Sequence, residues 1–320
     1  PPWTVGLTIC RPGAAPGYTL FAPIDSVTTY LIDLGGQLVH SWQSAARPAM
    51  SAYLLQSGLL LRPTKAPGVT HFAAAGAGGL IQKIGWDGSV AWSYTYASAA
   101  HRQHHDVEPL PGGNVLLVAW ERMSKSEAIA AGRDPSLLDD GELWVDHLVE
   151  VQPDGASGGK IVWEWHLRDH LIQDHDPTKA NHGVVADHPE LLDINFARNG
   201  KADWNHVNAV DYNQQLDQIM LTVHGTHEII VIDHSTTTAQ AAGHTGGTAG
   251  KGGDILYRWG NPAAYRAGTS ADKALFGPHD GRWIPSGLPG AGNLLVFNNG
   301  KNRPAAVKHS TIDELTAPLL

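Results

Sequence analysis

The chain has 320 residues, 42% of them hydrophobic, a length that allows one large domain with an ample core. Its formal charge is -9 and it carries no long basic run, which disfavours a nucleic-acid partner. No apolar run approaches the roughly 18 residues of a membrane span. A single cysteine excludes an internal disulfide framework and a thiolate metal site.

In chain order, residues 1–29 read as a lead-in with one or two strands, expected to help close a ring of sheets. Cys10 falls in this stretch and reads as a small buried hydrophobe. The first residues, Pro1-Pro2-Trp3, lack a Met. A processed terminus with a removed export signal is therefore expected. Tyr30 to Trp42 reads as strand, Gly35-Gly36 turn and strand, closed by Trp. The same hairpin recurs at Leu80 to Trp92, Leu148 to Trp165 and Ile229 to Trp259. Trp42, Trp92, Trp165 and Trp259 fit packing between repeats.

Alternating with these hairpins is a second unit, a strand pair such as Ala52 to Arg62. Three copies of it carry histidine: His104-His105-Asp106, Asn205-His206-Val207-Asn208 and His279-Asp280, each running into a short apolar strand. Equivalent residues of repeated units are brought to one face or around one axis, so these histidines are expected to converge. Antiparallel four-stranded units repeated with variable loops describe a β-propeller, all-β, one domain over 1–320. Three insertions interrupt it. Ser124 to Ala131 opens with a capping box and predicts a short helix. Residues 166–203 predict short surface helices, and the Gly/Thr/Ala-rich 235–253 a long loop. His147, His166, His170 and His244 share no repeat position and read as surface or structural.

Several of these elements together resemble the bacterial aryl-sulfate sulfotransferase family over roughly residues 17–303. They are the Tyr30–Trp42 hairpin, His104-His105-Asp106 with its Pro-Gly-Gly-Asn, Asp203-Trp204-Asn205-His206-Val207-Asn208, Arg258-Trp259-Gly260-Asn261-Pro262, and His279-Asp280 with Phe297-Asn298-Asn299-Gly300. The resemblance implies six blades and a periplasmic or secreted setting. It also implies sulfuryl transfer from an aryl sulfate to a phenol through a transiently sulfated histidine, with no nucleotide sulfate donor and no cofactor. Carried over, His279 is the nucleophile, His206 and Asn208 form the site pair, and His104 or His105 is the first-repeat histidine. One departure stands out: His224 occupies the place of the family's arginine, which removes a bidentate sulfate fork. Arg62 or Arg282 is expected to substitute, and Trp204 or Trp283 to flank the phenol ring.

Two other readings of the same residues remain. His104, His105, His206, His224 and His279 could ligate a transition metal such as Cu, Zn, Fe or Ni, with Asp106 and Asp280 supporting the ligands. Or the propeller could bind without chemistry.

Overall fold

A computed structural model describes residues 9, 11–196, 200–304 and 309–316. Five antiparallel sheets follow one another along the chain. The first holds Thr19–Phe21, Thr28–Ile32 and Leu38–Gln43; the second Tyr53–Leu54, Leu60–Lys65, Gly79–Ile84 and Val90–Thr95. The third holds His101–Pro109, Val115–Ser124, Glu142–Asp154 and Gly158–His166; the fourth Val207–Asn213, Gln218–Val223, Glu228–Asp233 and Tyr257–Trp259. The fifth holds Pro278–Trp283, Leu294–Asn298 and Thr311–Leu315. Each sheet is built in chain order from its first strand outwards, the hallmark of propeller blades.

The blade number corrects the expectation of six. The described chain supplies five first strands and hence five blades, and only the middle three have four strands. Among the described residues Thr19–Phe21 pairs with Thr28–Ile32 inside its own blade, and Thr311–Leu315 pairs with Leu294–Asn298. The Tyr53 hydroxyl, at the first strand of the second blade, meets the Arg282 guanidinium of the fifth. Cys10 lies outside the described residues.

Apolar layers fill the spaces between consecutive blades, and the hairpin tryptophans sit in them. Leu31 and Trp42 pack on Leu60 and Ile84; Leu61, Ile81 and Trp92 on Val107, Leu117 and Val149. Met220, Ile229 and Val231 pack on Leu275, Leu294 and Val296. Three of these tryptophans also donate Nε1–H across to the next blade: Trp42 to the Gly85 carbonyl (3.1 Å), Trp92 to Gly158 (2.8 Å) and Trp165 to Gly253 (2.7 Å). Replacing any of them by Ala costs about 3–5 kcal/mol, by lost burial and the cavity left behind.

Lys125–Ala130 is the predicted capped helix: Ser124 accepts from Glu127 N–H and Glu127 reaches back to Ser124. Residues 166–194 hold 3-10 turns (Leu167–Asp169, Val185–Asp187) and a short parallel strand pair, not α-helices. Arg258 fixes this insertion. It grips Glu228 with two bonds of 2.8 and 2.7 Å and donates to the carbonyls of Pro189 and Leu191. The 235–253 loop contains a helix, Thr238–Ala241, with its own capping box between Thr237 and Gln240. Among the described residues no helix is long and apolar enough to cross a membrane.

Candidate active site

In the first strand of the third, fourth and fifth blades a β-bulge interrupts pairing. In or beside each bulge one residue takes a positive φ: His105 (52°), His206 (52°) and Asp280 (48°). Such backbone is costly for most side chains and tolerated best by Asn, Asp and His. It swings the side chain out of the ordinary alternation, towards the mouth of the ring. His279 precedes its positive-φ residue, so the third histidine is offset by one position from the other two.

The imidazoles nevertheless converge in an arc. Ring centroids are 4.5 Å apart for His105–His206, 5.3 Å for His206–His224 and 5.4 Å for His224–His279. A cavity of about 890 Å³ is lined by His105, His206, His279, Asn208, Asp106 and Arg282, with Leu20, Phe21 and Tyr53 among its other walls. His224 opens on a neighbouring cavity of about 520 Å³, with His227, Lys273 and Lys301.

Hydrogen bonds fix which nitrogen each ring presents. His105 faces the cavity, and His104 lies fully buried behind it, stacked on Trp120 at 3.8 Å. His104 Nε2 lies 2.8 Å from Asp146 Oδ1, and its Nδ1 lies 2.8 Å from His105 Nδ1. A carboxylate only accepts, so His104 Nε2 carries the proton. Its Nδ1 then accepts from His105 Nδ1–H, and His105 Nε2 is left with a lone pair. Burial pushes both rings well below the usual histidine range; Asp203 opposes this for His104, and neighbouring histidines add to it for His105. His105 is thus a neutral acceptor. Gly76, at φ +79°, lets its ring in: a Cβ there would lie 2.3 Å from His105 Cε1.

The other two rings are anchored likewise. His206 Nδ1 meets Asp203 Oδ2 at 2.5 Å, and His279 Nδ1 meets Asn299 Oδ1 at 2.7 Å. In both, the accepting oxygen claims Nδ1–H and leaves Nε2 for chemistry. Asn208 donates to the Pro278 carbonyl (2.9 Å), and its Oδ1 has no partner among the described residues.

The two expected arginines are each held by partners within the protein. Arg282 lines the larger cavity, but its donors go to Asp280, Glu108, Asp211, Asp106, Tyr53 and the Val210 carbonyl. Burial works against this cation, yet Asp106, Tyr53, Asp280 and Asp211 outweigh it and hold its pKa above the ordinary value. The cluster in turn is starved of water. Burial raises Asp106 and Asp211, pushes Glu108 up to about 8 and lifts the Tyr53 hydroxyl well above its usual range, although Arg282 pulls each back. Arg282 is therefore the hub of an axial charge cluster. Arg62 is fully buried against the Val27 carbonyl (3.3 Å), away from the cavity lining, with burial lowering it to about 10. Trp204 is also fully buried, donating to the Phe196 carbonyl, and its ring lines neither cavity. Asp106 and Asp280 bind Arg282 rather than supporting the imidazoles.

Asp146, Asp203 and Lys273 join the site beyond the expected residues, and Asn299 and Lys301, which follow the third histidine strand in sequence, reach it too. Asp203 had a local signal, three positions before His206. Asp146 had none, because a neighbouring strand delivers it. Among the described residues, three side chains offer ligand atoms within 4.8 Å of one another in two places only: Glu121–His147–His166 and His170–His244–Asp254. Neither includes the arc.

Together these features define a five-bladed β-propeller with a histidine-lined cavity at the mouth of its ring. The chain belongs to the arylsulfotransferase (ASST) family, whose model matches residues 80–314. Membership implies a sulfuryl transferase acting on small molecules at the family level. No curated protein matches the chain. Among solved structures it is similar to a Bacteroides caccae protein of unknown function (10% identity, 93% of this chain and 73% of that one, TM-score 0.45). It is also similar to Kuenenia stuttgartiensis hydrazine synthase (12% identity, 93% and 68%, TM-score 0.48). Likeness at this level carries no argument about activity.

Proposed function

We propose that the chain moves a sulfuryl group from an aryl sulfate to a phenol through a sulfated His279. The observation that carries this reading is that His105, His206 and His279 each tie Nδ1 to a neighbour and turn Nε2 to one cavity. In the first half-reaction the His279 Nε2 lone pair attacks sulfur and the S–O bond to the aryl group breaks. The departing phenolate takes a proton from His206 Nε2, and Asp203 orients that ring and stabilises its charged form. In the second half-reaction His206 takes the proton of the acceptor phenol, whose oxygen attacks sulfur and frees His279. His105 orients the phenol hydroxyl as a neutral acceptor. The second Nδ2–H of Asn208 and, from the neighbouring cavity, His224 with Lys301 and Lys273 face the sulfuryl oxygens in place of the missing arginine. Positive charge has to be local, because the chain as a whole is acidic.

The route needs no cofactor, and the absence of a converging ligand triad in the arc favours it over a metal centre there. A periplasmic or secreted setting, usual for the family, completes the reading. Incubation with a chromogenic aryl sulfate and a phenol should release the coloured phenolate with ping-pong kinetics, and His279→Ala should abolish release. Unchanged turnover in His279→Ala would remove the nucleophile from this scheme.

A further inference from the structure

We infer that His170, His244 and Asp254 form a site for a divalent transition-metal ion, Zn²⁺ being the ion their donors suit, which clasps two insertions of the propeller together. His170 follows the 3-10 turn of the 166–194 insertion, whereas His244 and Asp254 belong to the loop between the third and fourth strands of the fourth blade. The site shares no residue with the histidine arc.

The hydrogen bonds of His170 carry the inference. This fully buried ring stacks on Trp165 at 5.6 Å. Its Nε2 lies 2.8 Å from the Ala241 carbonyl, and its Nδ1 lies 2.8 Å from Asp254 Oδ1. A carbonyl oxygen only accepts, so Nε2 bears a hydrogen, and Nδ1 is the ring nitrogen that faces the carboxylate oxygen. His244 Nδ1 meets that same oxygen, also at 2.8 Å. Two imidazole nitrogens and one carboxylate oxygen thus crowd within 4.8 Å of one another in a largely buried pocket. A cation between them would take all three atoms as ligands.

The surroundings match what such an ion requires. A metal-bound histidine usually donates its other N–H to a carbonyl or carboxylate, as His170 does to Ala241. Two imidazoles and a carboxylate suit Zn²⁺. A tetrahedral ion with bonds of about 2.0 Å spaces its ligand atoms about 3.3 Å apart, so the two N–O distances of 2.8 Å need to lengthen by only about half an ångström. His244 is exposed over 60% of its side chain, leaving the fourth position open to water. The loop is shaped for the approach. A Cβ on Gly253 would lie 2.0 Å from the Ala241 oxygen and 2.6 Å from His170 Nε2, so glycine is required there.

The test is a titration of tag-free, chelator-treated protein with ZnCl2 by calorimetry, repeated with CoCl2 while recording visible absorption. The wild type should bind one Zn²⁺ per chain, gain thermal stability from it, and show the intense ligand-field bands of tetrahedral Co²⁺. His244→Ala, at an exposed position that leaves the core untouched, should weaken binding by about two orders of magnitude or more and lose both signatures. His206→Ala and His166→Ala should bind like the wild type. Wild-type affinity no greater than that of His244→Ala would overturn the site and leave His170 and His244 as plain hydrogen-bond partners of Asp254. Binding lost in His206→Ala or His166→Ala but kept in His244→Ala would overturn it equally, by moving the ion to another cluster.

Discussion

Replacing Asp146 by Asn should invert the proton positions of two histidines. Asp146 Oδ2 accepts from Val207 N–H at 3.1 Å, while Oδ1 faces His104 Nε2. Val207 N–H can only donate, so an Asn side chain must keep its oxygen there and turn its NH₂ to His104. His104 Nε2 must then accept, its proton moves to Nδ1, and His105 Nδ1 in turn becomes the acceptor. The His105 proton ends on Nε2, pointing into the cavity where a lone pair stood. Losing one buried charge-assisted bond costs about 1.5–3 kcal/mol, which for a domain of this size lowers Tm by roughly 2–4 °C. Exchanging the acceptor that orients the phenol for a donor should lower kcat/KM by about 10²-fold, the low end for positioned acid–base groups. Steady-state turnover with an aryl sulfate and a phenol reads the second effect. The ¹⁵N shifts of labelled histidines read the tautomers directly. Asp146→Asn with wild-type turnover and His105 still protonated on Nδ1 would refute the proton-relay reasoning.

Gly76→Ala should displace the His105 ring, since both the positive φ and the 2.3 Å approach exclude a methyl group; it should lower turnover more than stability, and His105 ¹⁵N resonances should shift. Arg282→Met removes the cation from among Asp106, Glu108, Asp211 and Asp280, and should cost about 3–5 kcal/mol by urea denaturation at pH 8, less at pH 5 where part of the cluster is protonated. Proton NMR titration should find His104, His105 and His147 neutral well below pH 6.5, because burial lowers each. His166 and His234 should titrate above 6.5, the carboxylates of Glu121, and of Glu150 and Asp217, outweighing their burial. The signs differ in consequence. Below about pH 6.5 the unfolded chain takes protons that the three buried rings refuse, so their contribution to stability is lost as pH falls, by up to about 1.4 kcal/mol per ring and pH unit. His166 and His234 contribute stability at low pH that is lost as pH rises through their folded values.

Much of this architecture is legible locally. The tryptophans each close the second strand of a repeated hairpin, so their packing between blades follows from pattern. The Ser124–Glu127 cap is equally visible. The same pattern at Thr237–Gln240 was readable too, but the surrounding glycines and threonines mask it as loop. Three histidine units announce a shared axis, and the arc of imidazoles follows from them. What surrounds that arc does not. Asp146 reaches His104 across paired strands, and no local spacing marks it. Arg282 looks like a spare anion fork beside His279-Asp280, until the ring closes and four carboxylates from three blades surround it. Trp204 sits in a motif rich in site residues, yet its ring points into the core because the positive φ at His206 turns the chain only after it. His170 and Asp254 meet only when two insertions fold together. The blade count of six comes from resemblance, whereas first strands number five among the described residues.

The most direct measurement is mass spectrometry of the protein quenched after incubation with an aryl sulfate and no acceptor. Digestion near neutral pH should yield a peptide carrying one added SO₃ on His279, which disappears when a phenol is added before the quench and is absent in His279→Ala. A chain that turns over while no sulfated peptide accumulates, or one in which His279→Ala still takes up the group, would contradict transfer through that histidine.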